Sequence, residues 1–339
     1  MDLTGKHSNQ TLQTQKKWSS INTMDPAYDQ YEKAREFYRT HEYLAWIGED
    51  ESDEETIRSA SEEALDQSEN ANSPANTDSA SAKISDQPMI YPMQQLMDYD
   101  FLMKHFYNVH TSTTADRELM NAKNLLSKDL TLEKEDAPQI LIYHTHSQES
   151  YKNSKKDENV VAVGQKLTDL LTEKGWNVYH DTTVYDLAVG KLDRSRAYTY
   201  ALEGINEILA RYPSIQVVLD IHRDGVGEDV YLKTEIGGQP SARIMFFNGL
   251  SQTPEGPISY LANPFREDNL AFSLKLQLKA EEYYPGFTRK IYLKGLRYNQ
   301  HLRARSALVE VGAQTNTFEE ACNAMMPLAE LLDMVLQGK

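Results

Sequence analysis

The sequence is poor in cysteine: one residue, Cys322, in 339. A single thiol excludes an internal disulfide framework and any zinc cluster built on cysteines. Its run, Glu319-Glu320-Ala321-Cys322-Asn323, reads as helix, so Cys322 is expected to be a small buried residue, and buried unactivated thiols are inert. Positive charge is also scarce. A formal net charge of −16 excludes nucleic acid as a partner, because phosphate binding needs a basic surface, and it argues against docking on anionic lipid. No apolar run approaches the roughly 18–20 residues of a membrane span. Met1-Asp2-Leu3-Thr4-Gly5 is polar and does not open a signal peptide. The expectation is a cytosolic protein or a chain starting after a removed export signal.

Several familiar catalytic motifs are missing as well. There is no Gly-x-Ser-x-Gly elbow for a serine hydrolase. There is no phosphate loop, no Gly-x-Gly-x-x-Gly after a strand and no His-Glu-x-x-His helix. Gly237-Gly238 lies in a loop with no helix following it.

What is present divides unevenly along the chain. The stretch from Tyr28 to Trp46 is rich in Tyr, Glu and Lys and fits one amphipathic helix within an N-terminal segment, 1–47. Residues 48–86 begin Gly48-Glu49-Asp50-Glu51-Ser52-Asp53-Glu54-Glu55 and continue in Ser, Ala, Asn, Glu and Asp. That composition buries too little apolar surface to offset chain entropy and reads as a disordered acidic linker, with an acidic binding tail as the alternative. Apolar residues return at Met89, and 87–137 is expected to be a loosely helical lead-in packing on a catalytic domain over 138–339.

From Pro138 onward strands and helices alternate. Strands are expected over 139–143, 176–179, 216–221, 243–247 and 306–311. Helices are expected over 159–174, 195–212, 267–284 and 317–337. Strands spaced by helices imply βαβ units, hence an α/β fold with a mostly parallel sheet flanked by helices. In such sheets ligands sit at the carboxyl ends of the strands.

The polar oddities lie at those ends. The first strand runs into His144-Thr145-His146-Ser147-Gln148-Glu149, the third into Asp220-Ile221-His222-Arg223-Asp224, and the late strand holds Glu310 just before Gly312. Neutral imidazole and carboxylate suit zinc, and a catalytic zinc site takes three protein ligands and leaves a place for water. His146 and Glu149 have a spacing that one turn can direct at a single ion, and His222 sits at the matching edge. Zinc lowers the pKa of its water toward about 7. A second carboxylate must then take the proton and deliver it to the leaving amine, a role for which Glu310 is placed. His144 is read as a neighbour of the site or a further ligand. Asp220 is expected to point to the opposite side from His222, as a structural or supporting carboxylate. Arg223 and Asp224 pair with each other or hold substrate. Tyr298-Asn299-Gln300 lines a groove or forms a turn, and Glu310 has a structural alternative in pairing with Arg303 or Arg305.

Four strings taken together, IYHTHSQESY (142–151), VVLDIHRDG (217–225), RYNQ (297–300) and LVEVGAQTNTFEEA (308–321), resemble the stage II sporulation protein P family of endospore-forming bacteria. The resemblance covers roughly residues 95–337 and includes Ser195-Arg196 and the Pro285-Gly286 pair. It implies a peptidoglycan hydrolase related to zinc N-acetylmuramoyl-L-alanine amidases, with amidase and endopeptidase activity on septal wall during engulfment. It implies one Zn2+ ion and, as partners, stage II sporulation proteins D and M. It also implies a place between mother-cell and forespore membranes, with an N-terminal anchor that this sequence does not show. By motif, His146 and His222 match the metal histidines of those amidases and Glu310 their catalytic glutamate. The second ligand is Glu149 by spacing, with Glu158 as the substitute. Two other readings stand beside this one. A zinc carboxypeptidase-like enzyme would use Arg223 or Arg297 for a terminal carboxylate and release single amino acids. A non-catalytic wall-binding scaffold would hold no metal.

Overall fold

The computed structural model describes residues 90–188 and 191–339. The helix expected over Tyr28–Trp46 and the linker over 48–86 lie outside the described residues.

Seven strands form the main sheet. They are β1 (Tyr107–Val109), β2 (Ile140–Tyr143), β3 (Val178–His180), β4 (Val217–Asp224), β5 (Ile244–Gly249), β6 (Ile291–Lys294) and β7 (Arg305–Ala313). Their spatial order is β1-β6-β5-β7-β4-β2-β3. All neighbouring pairs are parallel except β7 with β5. The central strands carry near-continuous apolar runs because both faces are covered: β2 is buried throughout, as are the first six residues of β4.

The helices are α1 (Met93–Leu96), α2 (Tyr99–Phe106), α3 (Ala122–Ser127), α4 (Val160–Glu173), α5 (Arg194–Arg211), α6 (Arg266–Tyr283), α7 (Phe318–Asn323) and α8 (Met325–Gln337). Side chains alternate across a strand, and the core divides accordingly. Ile140, Ile142, Val217, Leu219 and Ile221 face a large cluster with residues of α4, α6 and α8. Leu141, Tyr143 and Val218 face Ala201, Ile205 and Leu209 of α5. Among the described residues, no helix is long and apolar enough to cross a membrane.

Two expectations change at this level. The closing helix expected over 317–337 is two helices meeting at Ala324. Pro327 explains the break: it donates no backbone hydrogen bond and its ring crowds the carbonyl four residues earlier, at Asn323. The lead-in is not wholly helical either. After α1 and α2 it adds β1 to the sheet edge beside β6, with Tyr107 opposite Ile291. Gly237-Gly238 makes the turn of a small hairpin, Lys233–Ile236 with Gln239–Ala242. Both glycines have positive φ, as a tight two-residue hairpin loop requires.

Candidate metal centre

The polar strand ends lie side by side because β7, β4 and β2 are consecutive in the sheet. Tyr143 is opposite Asp220, and His222 is opposite Glu310. Directly after Glu310 the pairing of β7 shifts. Gly312 in this bulge has φ +62°, and an added Cβ would stand 2.6 Å from Asn316 Oδ1. The bulge interrupts the pairing just past Glu310, and the ladder resumes with Ala313 opposite Asp224.

The first strand stops at Tyr143, and the following turn decides which residues reach the centre. His144 keeps the alternation and falls on the α4 face with Ile142. Its Nδ1 lies 2.9 Å from the Ile221 carbonyl oxygen and its Nε2 lies 2.9 Å from His180 Nε2. It is therefore not in the cluster, and burial, with His180 beside it, pushes its pKa down to about 3. Thr145 falls on the α5 face, where its backbone N–H and hydroxyl donate to Asp220. The turn then swings His146 to that face as well, 5.0 Å from His222 between ring centroids. Glu149, three residues on, closes the group.

Among the described residues, His146, Glu149 and His222 form a group whose donor atoms all lie within 4.8 Å of one another. Glu149 Oε1 is 3.6 Å from His146 Nδ1, and Oε2 is 3.5 Å from His222 Nδ1. Tetrahedral zinc, with bonds of about 2.0–2.1 Å, holds its donors about 3.4 Å apart. The donor types and spacing therefore fit such an ion. Burial would raise the Glu149 carboxyl, but hydrogen bonding and charge from His146 and His222 outweigh it and hold Glu149 well below the usual range. Burial would likewise strip His222 of its proton, yet Asp220 and Glu149 hold it well above an ordinary imidazole. A buried site that favours a proton on His222 would exchange that proton for a cation on metal binding. Glu158 stays outside, its carboxylate 2.8 Å from Lys155 Nζ.

Asp220 does not point away from His222, as expected from sequence. Its Oδ1 is 2.8 Å from His222 Nε2, an approach too oblique for a good hydrogen bond. Residues two apart on a strand share a face, which is the physical reason for the correction. A carboxylate behind a ligating histidine fixes ring orientation and raises its basicity. Glu310 has a buried Oε2 without a hydrogen-bond partner. Burial, with the Asp224 charge nearby, pushes its carboxyl up to about 8. Neither Arg303 nor Arg305 pairs with it; they donate to the carbonyls of Ile215 and Leu130.

Arg223 and Asp224 do not form a side-chain pair. Arg223 donates to the Ser150 and Asp224 carbonyls, while its backbone N–H donates to Glu149 Oε2. Asp224 pairs instead with Arg289 at 2.5 Å. Arg196 lies 3.8 Å from Asp193, outside the cluster. Arg297 is buried. Tyr298 and Asn299 are buried rather than lining a groove, and both have positive φ. Asn299 donates to the Tyr198 carbonyl, and Tyr298 meets the Tyr198 ring edge-on at 5.5 Å.

Three residues that matter here carried no sequence signal of their own. Tyr198 of α5 packs 5.5 Å from the His146 ring and stacks over His222. Arg194, one helical turn earlier, brings Nη1 to 3.4 Å from Glu149 Oε1. Asp186 accepts from Ser147 Oγ and Gln148 N and so fixes the turn bearing the donors. Helical spacing of four links Arg194 to Tyr198, but only the packing of α5 over the strand ends brings them to the site.

A family model described as Stage II sporulation protein P (SpoIIP) matches residues 19–333. Stage II sporulation protein P of Bacillus subtilis (strain 168) is 28% identical over 214 residues, 58% of this chain and 50% of that protein. The chain thus spans about half the length of the curated relative it matches. Among solved structures, the CwlD amidase from Clostridioides difficile in complex with the GerS lipoprotein is 16% identical, with a TM-score of 0.37 over 58% of this chain and 99% of that one. The N-acetylmuramyl-L-alanine amidase Ami1 from Mycobacterium smegmatis is 11% identical, with a TM-score of 0.36 over 60% of this chain and 99% of that one. With the family model spanning nearly the whole sequence, this chain belongs to the stage II sporulation protein P family.

Proposed function

We propose that the chain is a zinc-dependent peptidoglycan hydrolase of sporulation that cleaves the amide joining N-acetylmuramic acid to L-alanine, with endopeptidase activity on stem peptides as well. The observation that carries this reading is the His146, Glu149 and His222 group, with Glu149 and His222 buried, beside Glu310, a carboxyl with an unpartnered oxygen on the adjacent strand. His146, Glu149 and His222 would hold the ion, which supplies an activated water and polarises the scissile carbonyl. Asp220 and Tyr198 hold the His222 ring in place. Glu310 takes a proton from the attacking water and returns it to the leaving nitrogen. Burial, which favours its protonated form, suits a group that must hold a proton part of the time.

In this reading the substrate is septal wall and the enzyme acts outside the cytoplasm, between the mother-cell and forespore membranes, held by an N-terminal anchor. Stage II sporulation proteins D and M are its partners. Family membership supports that setting.

Metal analysis combined with wall digestion tests the reading. Wild type should carry one zinc and release free stem peptides and bare glycan. His146→Ala and His222→Ala should lose both metal and activity. Full zinc in both histidine variants would overturn the assignment.

A further inference from the structure

Three arginines approach the candidate centre, and their commitments differ. Arg223 spends its side chain on two backbone carbonyls. Arg289 is paired with Asp224. Arg194 has one acidic partner within 4.0 Å among the described residues, Glu149 Oε1 at 3.4 Å, and its side chain stays 43% exposed.

That placement is unfavourable for a purely structural residue. Arg194 is the first residue of α5, after the N-cap Asp193. A cation there opposes the helix macrodipole, which favours anions at the N-terminus. A guanidinium offers five donors in a planar fork, suited to gripping a carboxylate through two parallel hydrogen bonds. Here one edge approaches the donor carboxylate of the site while much of the group faces solvent at its mouth. A cation held among His146, Glu149 and His222 would neutralise Glu149 and weaken its hold on Arg194.

We propose that Arg194 is a specificity-determining residue that binds a free carboxylate on the peptide side of the scissile amide. This rests on the hydrolase reading above. One extended residue spans about 3.3–3.6 Å, so a carboxylate gripped beside Glu149 belongs to the first or second amino acid beyond the cleaved bond. The ligand class is therefore a short acidic peptide with its carboxylate close to its amino end. Substrates amidated at that position are selected against, because the buried edge of the site then faces a neutral group where it is built for an anion.

The test compares binding of L-alanyl-D-glutamate and its diamide to the full zinc-loaded chain by calorimetry. Wild type is expected to favour the acid by at least about tenfold. Arg194→Met should erase most of that preference with zinc content unchanged, and Arg194→Lys, which keeps the charge but not the fork, should fall between. An equal preference in wild type and Arg194→Met overturns the proposal. So does loss of zinc in Arg194→Met, which would make Arg194 a support for Glu149. Wall digestion by wild type in parallel reports on the hydrolase reading separately: a chain that binds the acid through Arg194 yet cuts no wall defeats that reading and leaves the recognition intact.

Discussion

Glu310 and His222 stand directly opposite one another on adjacent parallel strands. Parallel neighbours at the same register present their side chains to the same face, so a carboxyl is fixed beside an imidazole by backbone hydrogen bonds rather than by a mobile loop. A proton-transferring group needs such fixed placement, because its reach is one hydrogen bond. Replacing Glu310 by Gln keeps the shape and removes the base. Turnover of purified wall should fall by about 10²–10⁴-fold, the usual contribution of general acid–base catalysis, while zinc content stays at the wild-type level. Near-normal turnover in Glu310→Gln would remove Glu310 from the chemistry.

Asp220 supports His222 from behind and is itself held by two hydrogen bonds from Thr145, at 2.9 and 2.6 Å. Asp220→Asn should weaken zinc affinity by about 10–100-fold, as loss of a carboxylate behind a ligating histidine does. Competition against a chelator with a known zinc constant measures it. Unchanged affinity would show that the oblique contact does not tune the ligand.

How much of this was legible in the sequence follows from what each residue depends on. His146, His222 and Glu310 come into view because each ends an apolar run, and the strand-end rule for parallel sheets acts on that local pattern. The choice of face does not follow so simply. His144 and His146 are two apart, yet the strand stops at Tyr143 and the turn sends them to opposite sides. Asp220 and His222, also two apart, stay within a strand and share a face. Arg194 and Tyr198 depend on where α5 packs, a tertiary fact with no local signature. The edge strand Tyr107–Val109 and its neighbour Ile291–Lys294 are too short to show a period.

His144 gives a test of packing on the opposite side of the strand. A Cβ added at Gly164 of α4 would stand 2.5 Å from His144 Cε1 and 2.6 Å from Nε2. His144 is fully buried and tied to the Ile221 carbonyl, so it has little room to yield. Gly164→Ala should therefore destabilise the fold by about 1–3 kcal/mol, the range for overpacking a close-packed interior, despite the better helix propensity of alanine. Urea unfolding of the two proteins checks it, and a more stable Gly164→Ala would show that the imidazole pair moves freely.

Asp333, far from the centre, ties the stability of the fold to pH. Burial alone would raise the Asp333 carboxyl, but hydrogen bonds from Trp176, Lys134 and Gln337, with the Lys134 charge, outweigh it and lower the pKa. Trp176 Nε1 and Lys134 Nζ donate to Oδ1 at 2.9 and 3.2 Å, and Gln337 donates to the same oxygen. The anion is thus favoured in the folded state over the unfolded one, where an aspartate titrates near 3.9. Its contribution is present in full above that value and is lost as pH falls through the lower folded-state pKa. Asp333→Asn should cost about 1–3 kcal/mol near neutral pH, the scale of hydrogen bonds to a charged group. The gap to wild type should narrow as unfolding is measured at successively lower pH below about 4. A gap that stays constant down that series would mean that the aspartate acts through shape and not through charge.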